Sequence, residues 1–274
     1  MRRHQVLAVA AADLKRLFKS RDYIIPLAIL AGLFFVFVPG IMLPLIGATE
    51  RSPLMAQIGD VIGTLPQQIQ ENIAGDTPAV RTAYAFAVYL LAPIAIVVPL
   101  TISSAVGANT MVGERERGTG EFLAHSPLTV QEIYMGKLIA SLVPGYLATA
   151  IGFAIYSLIV NLTVGRQLGG WFFPTTGWWY LILWVVPPFI AIALAVILRL
   201  SARVRSAAAA QQASTLVTLP VIIASYGIAS GLLYSPAYSA LIVGAIAWIV
   251  AILLLRSGAR AVRRERLLGV AADA

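Results

Sequence analysis

The chain has 274 residues, 59% of them hydrophobic and only 12% charged, with a formal net charge of +8. A soluble domain carries about 25% charged residues, so the composition excludes an ordinary water-soluble fold and describes a polytopic membrane protein. With no cysteine, disulfides, thiolate metal sites and cysteine nucleophiles are excluded too. The basic excess flanks apolar runs, which assigns it to membrane topology and not to nucleic acid.

In chain order, residues 4–20 read as an amphipathic helix. Leu7, Ala10, Leu14, Leu17 and Phe18 share one face at helical spacing, while Lys15, Arg16 and Lys19 lie elsewhere. Such a helix is expected to rest in the membrane interface, its lysines near anionic headgroups. The segment 1–22 is therefore separate from the membrane domain. Asp22 is placed to cap the following span, with Pro26 near its first turn. That span is long and has no small-residue cleavage site, so it reads as a retained helix and not a signal peptide.

Six spans are expected within 23–256, at about 23–46, 83–107, 134–162, 178–199, 213–233 and 237–256. The fold class is thus all-α, with six transmembrane helices, an N-terminal interfacial helix and both termini on one side. Pro39, Pro93, Pro99, Pro144, Pro187, Pro188 and Pro220 fall inside spans and predict kinks, either as ordinary membrane-helix prolines or as hinges. Of the 20 Lys and Arg residues only Arg51, Arg81 and Arg166 lie on the side opposite the termini. The positive-inside rule then places both termini, and the basic tail 257–274, in the cytoplasm, as for a plasma-membrane protein.

The outer loop 47–82 carries Met55, Ile58, Ile62, Leu65, Ile69 and Ile73 at helical steps, broken at Pro66. It reads as a membrane-resting loop helix, with a cover over an exit between subunits as the alternative. The second outer loop bears Trp171, Phe172, Phe173, Trp178, Trp179 and Tyr180, the pattern of an interfacial aromatic belt.

Between spans two and three lies the one dense mixed-charge cassette, 113–133. Glu114, Arg115, Glu116 and Arg117 alternate in charge, Gly118 and Gly120 favour a break, and Glu121, Phe122 and Leu123 form a small acidic and apolar knob. Thr129 and Glu132 have capping-box spacing, which starts the third helix before the membrane and props the knob. From the residues alone, a docking knob and a merely well-capped loop stand equal.

Catalytic groups are scarce. No His-Glu-x-x-His occurs, and a serine–histidine dyad would need His4 or His125, both outside the spans. Glu121 and His125 are two ligands at most and read as a surface pair. There is no phosphate loop, since Gly136-Lys137 is followed by Leu138. The chain is expected to bind no cofactor and to act as no enzyme by itself. Spans almost free of ionisable groups argue against an ion-driven pump and suit a bulky, amphipathic or lipid-like cargo.

The run Gly113-Glu114-Arg115-Glu116-Arg117-Gly118-Thr119, with Glu121-Phe122-Leu123, Ser126-Pro127-Leu128-Thr129 and Glu132-Ile133-Tyr134, resembles the signature of ABC-2 type permeases, the membrane subunits of ATP-binding-cassette exporters. The segment Ser201–Ser206, followed by Gln211-Gln212-Ala213 and Pro220, is similar to the link between spans four and five in that family. Gly120 departs from it, a leucine being usual there. The resemblance implies a dimer of permeases, identical or paralogous, each seated on a cytoplasmic ATPase that holds the ATP and magnesium. It makes the cassette a coupling element, with Glu114, Arg115, Glu116, Arg117, Glu121, Phe122 and Leu123 at the ATPase contact. It also makes 4–20 a connecting helix. Gly227 and Gly231 form a small-xxx-small pair, for packing either between subunits or within one. A membrane scaffold that recruits another cytoplasmic protein through 113–133 is the alternative function.

Overall fold

A computed structural model describes residues 2–48, 59–64, 67–116, 118–119, 125–204, 206–234 and 237–261. Among them there are helices and no strands. A first helix, α1 (Arg3–Lys19), precedes six helices long and apolar enough to cross a membrane. They are α2 (Arg21–Ile46), α3 (Pro78–Glu114), α4 (Val130–Gly165), α5 (Thr176–Ser201), α6 (Ala207–Tyr234) and α7 (Ala237–Ala261). These six helices overlap the six apolar runs, and several outrun them. At the start of α3, Thr77 accepts a hydrogen bond from Val80 N and Pro78 fills a first-turn position needing no donor, so the helix begins before its apolar stretch. Asp22 is not the cap of α2: the cap position belongs to Ser20, extended at φ −89° and ψ 115°, and Asp22 sits in the first turn.

Burial sorts the spans. In α3 and α5, 67% and 72% of the apolar window is buried, against 11% in α2 and 17% in α6. The two central helices therefore read as nearly all-round apolar core, and the outer ones turn a hydrophobic face away from the bundle. α3 packs against α4, α5 and α6, while α7 lies along α5. Small residues permit close crossings: a Cβ on Gly145 of α4 would lie 2.5 Å from Pro99 O of α3. Hydroxyls tie the same layers, with Ser201 donating to Ala108 O at 2.6 Å and Ser214 to Ser104 O at 3.2 Å.

Three of the proline sites expected to kink follow a change of helix type. Single π-helical turns at Leu33–Phe37, Phe86–Leu90 and Leu181–Val185 come just before Pro39, Pro93 and Pro187-Pro188. A proline gives no N–H and crowds the preceding turn; a wider turn makes room but strands carbonyls. Leu91 N bonds Phe86 O and Ala92 N bonds Tyr89 O, which leaves Ala87 O and Val88 O without those donors. Tyr156 OH then donates to Ala87 O at 2.5 Å and Trp178 Nε1 to Val88 O at 2.9 Å. Tyr146 OH does the same for Ile182 O in the turn before Pro187, at 3.3 Å. Pro99, Pro144 and Pro220, by contrast, stand inside regular α-helix.

These bonds correct the aromatic-belt reading. Trp171 and Trp179 are exposed, but Phe173 and Trp178 are fully buried. Trp178 stacks on Phe153 and Tyr156 with centroids 5.8 and 5.4 Å apart. The cluster closes the end of the bundle opposite the N-terminus, because the indole is drawn inward by the stranded carbonyl. Asn161 pins the loop above it: its Oδ1 accepts from Phe172 N and Phe173 N at 2.9 and 3.0 Å, and its Nδ2 donates to Phe173 O at 2.6 Å. In the loop after α2, Ile62 packs on the core and Ile73 is buried, so that part of the apolar stripe faces protein. Met55, Ile58, Leu65 and Pro66 lie outside the described residues, as does the Ile69 side chain.

Candidate functional site: the junction of α1, α3 and α4

The cassette emerges at the end of the bundle that carries the N-terminus. Its entry is a rigid stop. Gly118 has φ +70°, and Thr119 N reaches back to Glu114 O at 2.9 Å. This is the six-to-one bond of a Schellman ending, which needs a left-handed residue and so a glycine. The Thr119 hydroxyl also bonds the Glu114 carboxylate. Its exit is equally firm. Glu132 N donates to Thr129 Oγ1 at 3.3 Å while Thr129 N donates to Glu132 Oε2 at 2.9 Å, the reciprocal capping box expected from the spacing.

The third wall is α1. Arg2 N donates to Glu132 Oε1 at 2.7 Å, so the carboxylate that caps α4 also ties down the chain entering α1. Farther along, Gly136 lets the helices touch, since a Cβ there would lie 2.6 Å from Val9 Cβ. Val6 and Ala10 are the buried residues of α1, whereas Leu7 and Phe18 are 59% and 46% exposed. Of the expected apolar face, Ala10 and Leu17 meet the bundle while Leu7 and Phe18 stay exposed. Val6, Ala10, Asp13 and Leu17 turn toward the bundle, because Gly136 admits the valines and Lys137 draws Asp13 inward.

Lys137 is the residue that sequence reasoning passed over. Its amine is buried in α4, 3.1 Å from Asp13 Oδ2 and 3.5 Å from Glu114 Oε1, and it donates to Thr110 O at 3.2 Å. Arg16 Nη1 approaches the same Glu114 oxygen at 2.9 Å. Two signals pointed to this cluster: Asp13 is the one acid of α1, and Lys137 begins the apolar part of α4.

The candidate contact residues divide accordingly. Glu114 is buried and faces inward to Lys137 and Arg16. Glu116 is exposed, and its Oε1 accepts from Ala207 N at 2.8 Å, which fastens the end of α3 to the start of α6. Such a carboxylate suits the positive end of a helix. The side chain of Arg115 lies outside what is described, and Arg117, Gly120, Glu121, Phe122 and Leu123 lie outside the described residues. Gly227 and Gly231 are in α6, in a stretch whose side-chain surroundings are also undescribed.

Residues 54–262 match the family described as ABC-2 family transporter protein. The chain belongs to this ABC-2 transporter family. The match takes in five of the six spans, the whole cassette and the link between α5 and α6. No curated protein matches it. The chain is accordingly a multi-pass membrane protein and the membrane component of a transport system.

Proposed function

We propose that the chain is the permease subunit of an ABC-2 type exporter, dimerising and coupled through 113–133 to a separate ATPase subunit. Family membership supports the transport role. The observation that carries the coupling role is the support on either side of the knob: a Schellman ending before it and a capping box after it, both braced by α1. Force that reaches either anchored end of the segment passes into α3 or α4.

In this reading the end of the bundle bearing α1 is cytoplasmic, in a plasma membrane, and Glu121, Phe122 and Leu123 make the ATPase contact together with Arg115 and Arg117. Glu114 serves the fold behind it. The second permease subunit packs on the poorly buried outer helices, where Leu216, Leu219 and Ile223 of α6 are exposed and Gly227 and Gly231 allow close approach. The cargo is amphipathic or lipid-like. An apolar groove of about 320 Å³ between α2 and α4, lined by Leu27, Ala31, Leu147 and Ile151 among others, supports that chemistry.

The test is affinity capture, from the cells that make this chain, of a soluble ATP-binding-cassette ATPase on the chain in lipid nanodiscs, with Glu121→Lys and Phe122→Asp compared with the unaltered protein. Loss of the ATPase from both variants, with normal folding, is expected. Retention of the ATPase and of its response to the permease in both would remove the docking assignment. Capture of a non-ATPase partner instead would favour the scaffold reading.

A further inference from the structure

The three elements that brace the knob meet at one buried amine. Lys137 Nζ, 1% exposed, joins Asp13 of α1 at 3.1 Å and Glu114 of α3 at 3.5 Å while belonging to α4. Arg16 completes the set on Glu114 at 2.9 Å, so two cations face two anions. Removing charges from water is costly, and apolar side chains of similar volume hold helices together as well or better. What charges add is direction: the pairing is favourable only while all three helices stay in register, and it weakens steeply when one shifts.

The cluster also has an open side. A cavity of about 160 Å³, lined by Asp13, Arg16, Tyr23, Asn109 and Glu114 among others, lies against it. Asp13 is 21% exposed, whereas Glu114 and Lys137 are closed in. The α1 contact is therefore the one that opens without stranding a dry charge, and the α3–α4 contact is the one that stays shut.

We propose that Asp13 and Lys137 are positioning residues for energy coupling. They make α1, the end of α3 and the start of α4 a single lever, so that motion imposed on 117–124 reaches the spans. The proposal rests on the ATPase-docking reading above. Asp13→Asn/Lys137→Met is the informative variant, because it removes one cation and one anion and leaves Glu114 paired with Arg16. The complex with the ATPase is purified in nanodiscs, and kcat and KM for ATP are measured with and without permease.

The expected result is normal capture of the ATPase and an unchanged KM, with the change in kcat that the permease confers lost. Asp13→Asn alone, at the partly exposed edge, is expected to fold and to lose part of that kcat response. Lys137→Met alone leaves Asp13 and Glu114 sharing one cation, so it is expected to unfold at a lower temperature than the double variant. A full kcat response in the double variant and in Asp13→Asn would overturn the proposal, as would a wild-type permease that captures the ATPase without altering kcat. Failure of the wild-type chain to capture any ATPase would instead remove the docking reading itself.

Discussion

Replacing Asn161 by Ala isolates the joint that closes the end of the bundle opposite the N-terminus. The side chain is buried in the π-helical turn that ends α4 and holds both Phe172 N and Phe173 N on one oxygen. Its loss strands those two N–H groups, while Phe173 O keeps the Ser157 hydroxyl at 3.3 Å. An unsatisfied buried donor costs about 1–3 kcal/mol, so the pair corresponds to about 2–6 kcal/mol. Phe172 is only partly buried and its N–H can recruit water, which places the expected loss at about 2–4 kcal/mol. Reversible unfolding in mixed micelles, followed by the near-ultraviolet signal of the Trp178 cluster, reads this directly. The tryptophan signal should collapse before global helicity in the variant, since the aromatic cluster sits under the loop. A loss below about 1 kcal/mol, the usual scale of a single hydrogen bond, would refute the assignment of Asn161 as the clasp.

Two other perturbations test the opposite end and the core. Gly145→Ala forces a Cβ to within 2.5 Å of Pro99 O, so α3 and α4 must part, at about 1–3 kcal/mol. Gly40→Ala is its control, because a Cβ there meets nothing within 4 Å; it should be neutral or slightly stabilising in the same unfolding assay, and equal losses at the two glycines would contradict the close crossing. Thr129→Ala removes the capping hydroxyl and should cost about 1 kcal/mol. It should also raise amide hydrogen exchange in 130–133, and unchanged exchange there would mean that the capping box does not hold the start of α4.

Much of this architecture was legible in the chain because it rests on short-range rules. Apolar run length found the six spans, a threonine three residues before a glutamate found the start of α4, and Gly118 marked the end of α3. Each is a local demand of the backbone or the bilayer. Which side of α1 meets the bundle was not legible, because Leu7, Leu14 and Phe18 are as apolar as Val6, and only the gap at Gly136 and the pull of Lys137 bring Val6, Ala10 and Asp13 inward. The inward turn of Glu114 was not legible either, because its cations come from α1 and α4, far away in the chain.

The sequence by itself thus determined the class of solvent, the number of crossings and the place of the one cassette outside them. Tertiary structure alone decided which side of α1 meets the bundle, which indole fills a stranded carbonyl and which carboxylate of the cassette is spent inside. The physical reason is common to all three. A helix offers several faces of similar hydrophobicity, and the choice among them falls to single polar atoms, Lys137 Nζ, Val88 O and Glu114 Oε1, whose partners meet only when the helices pack.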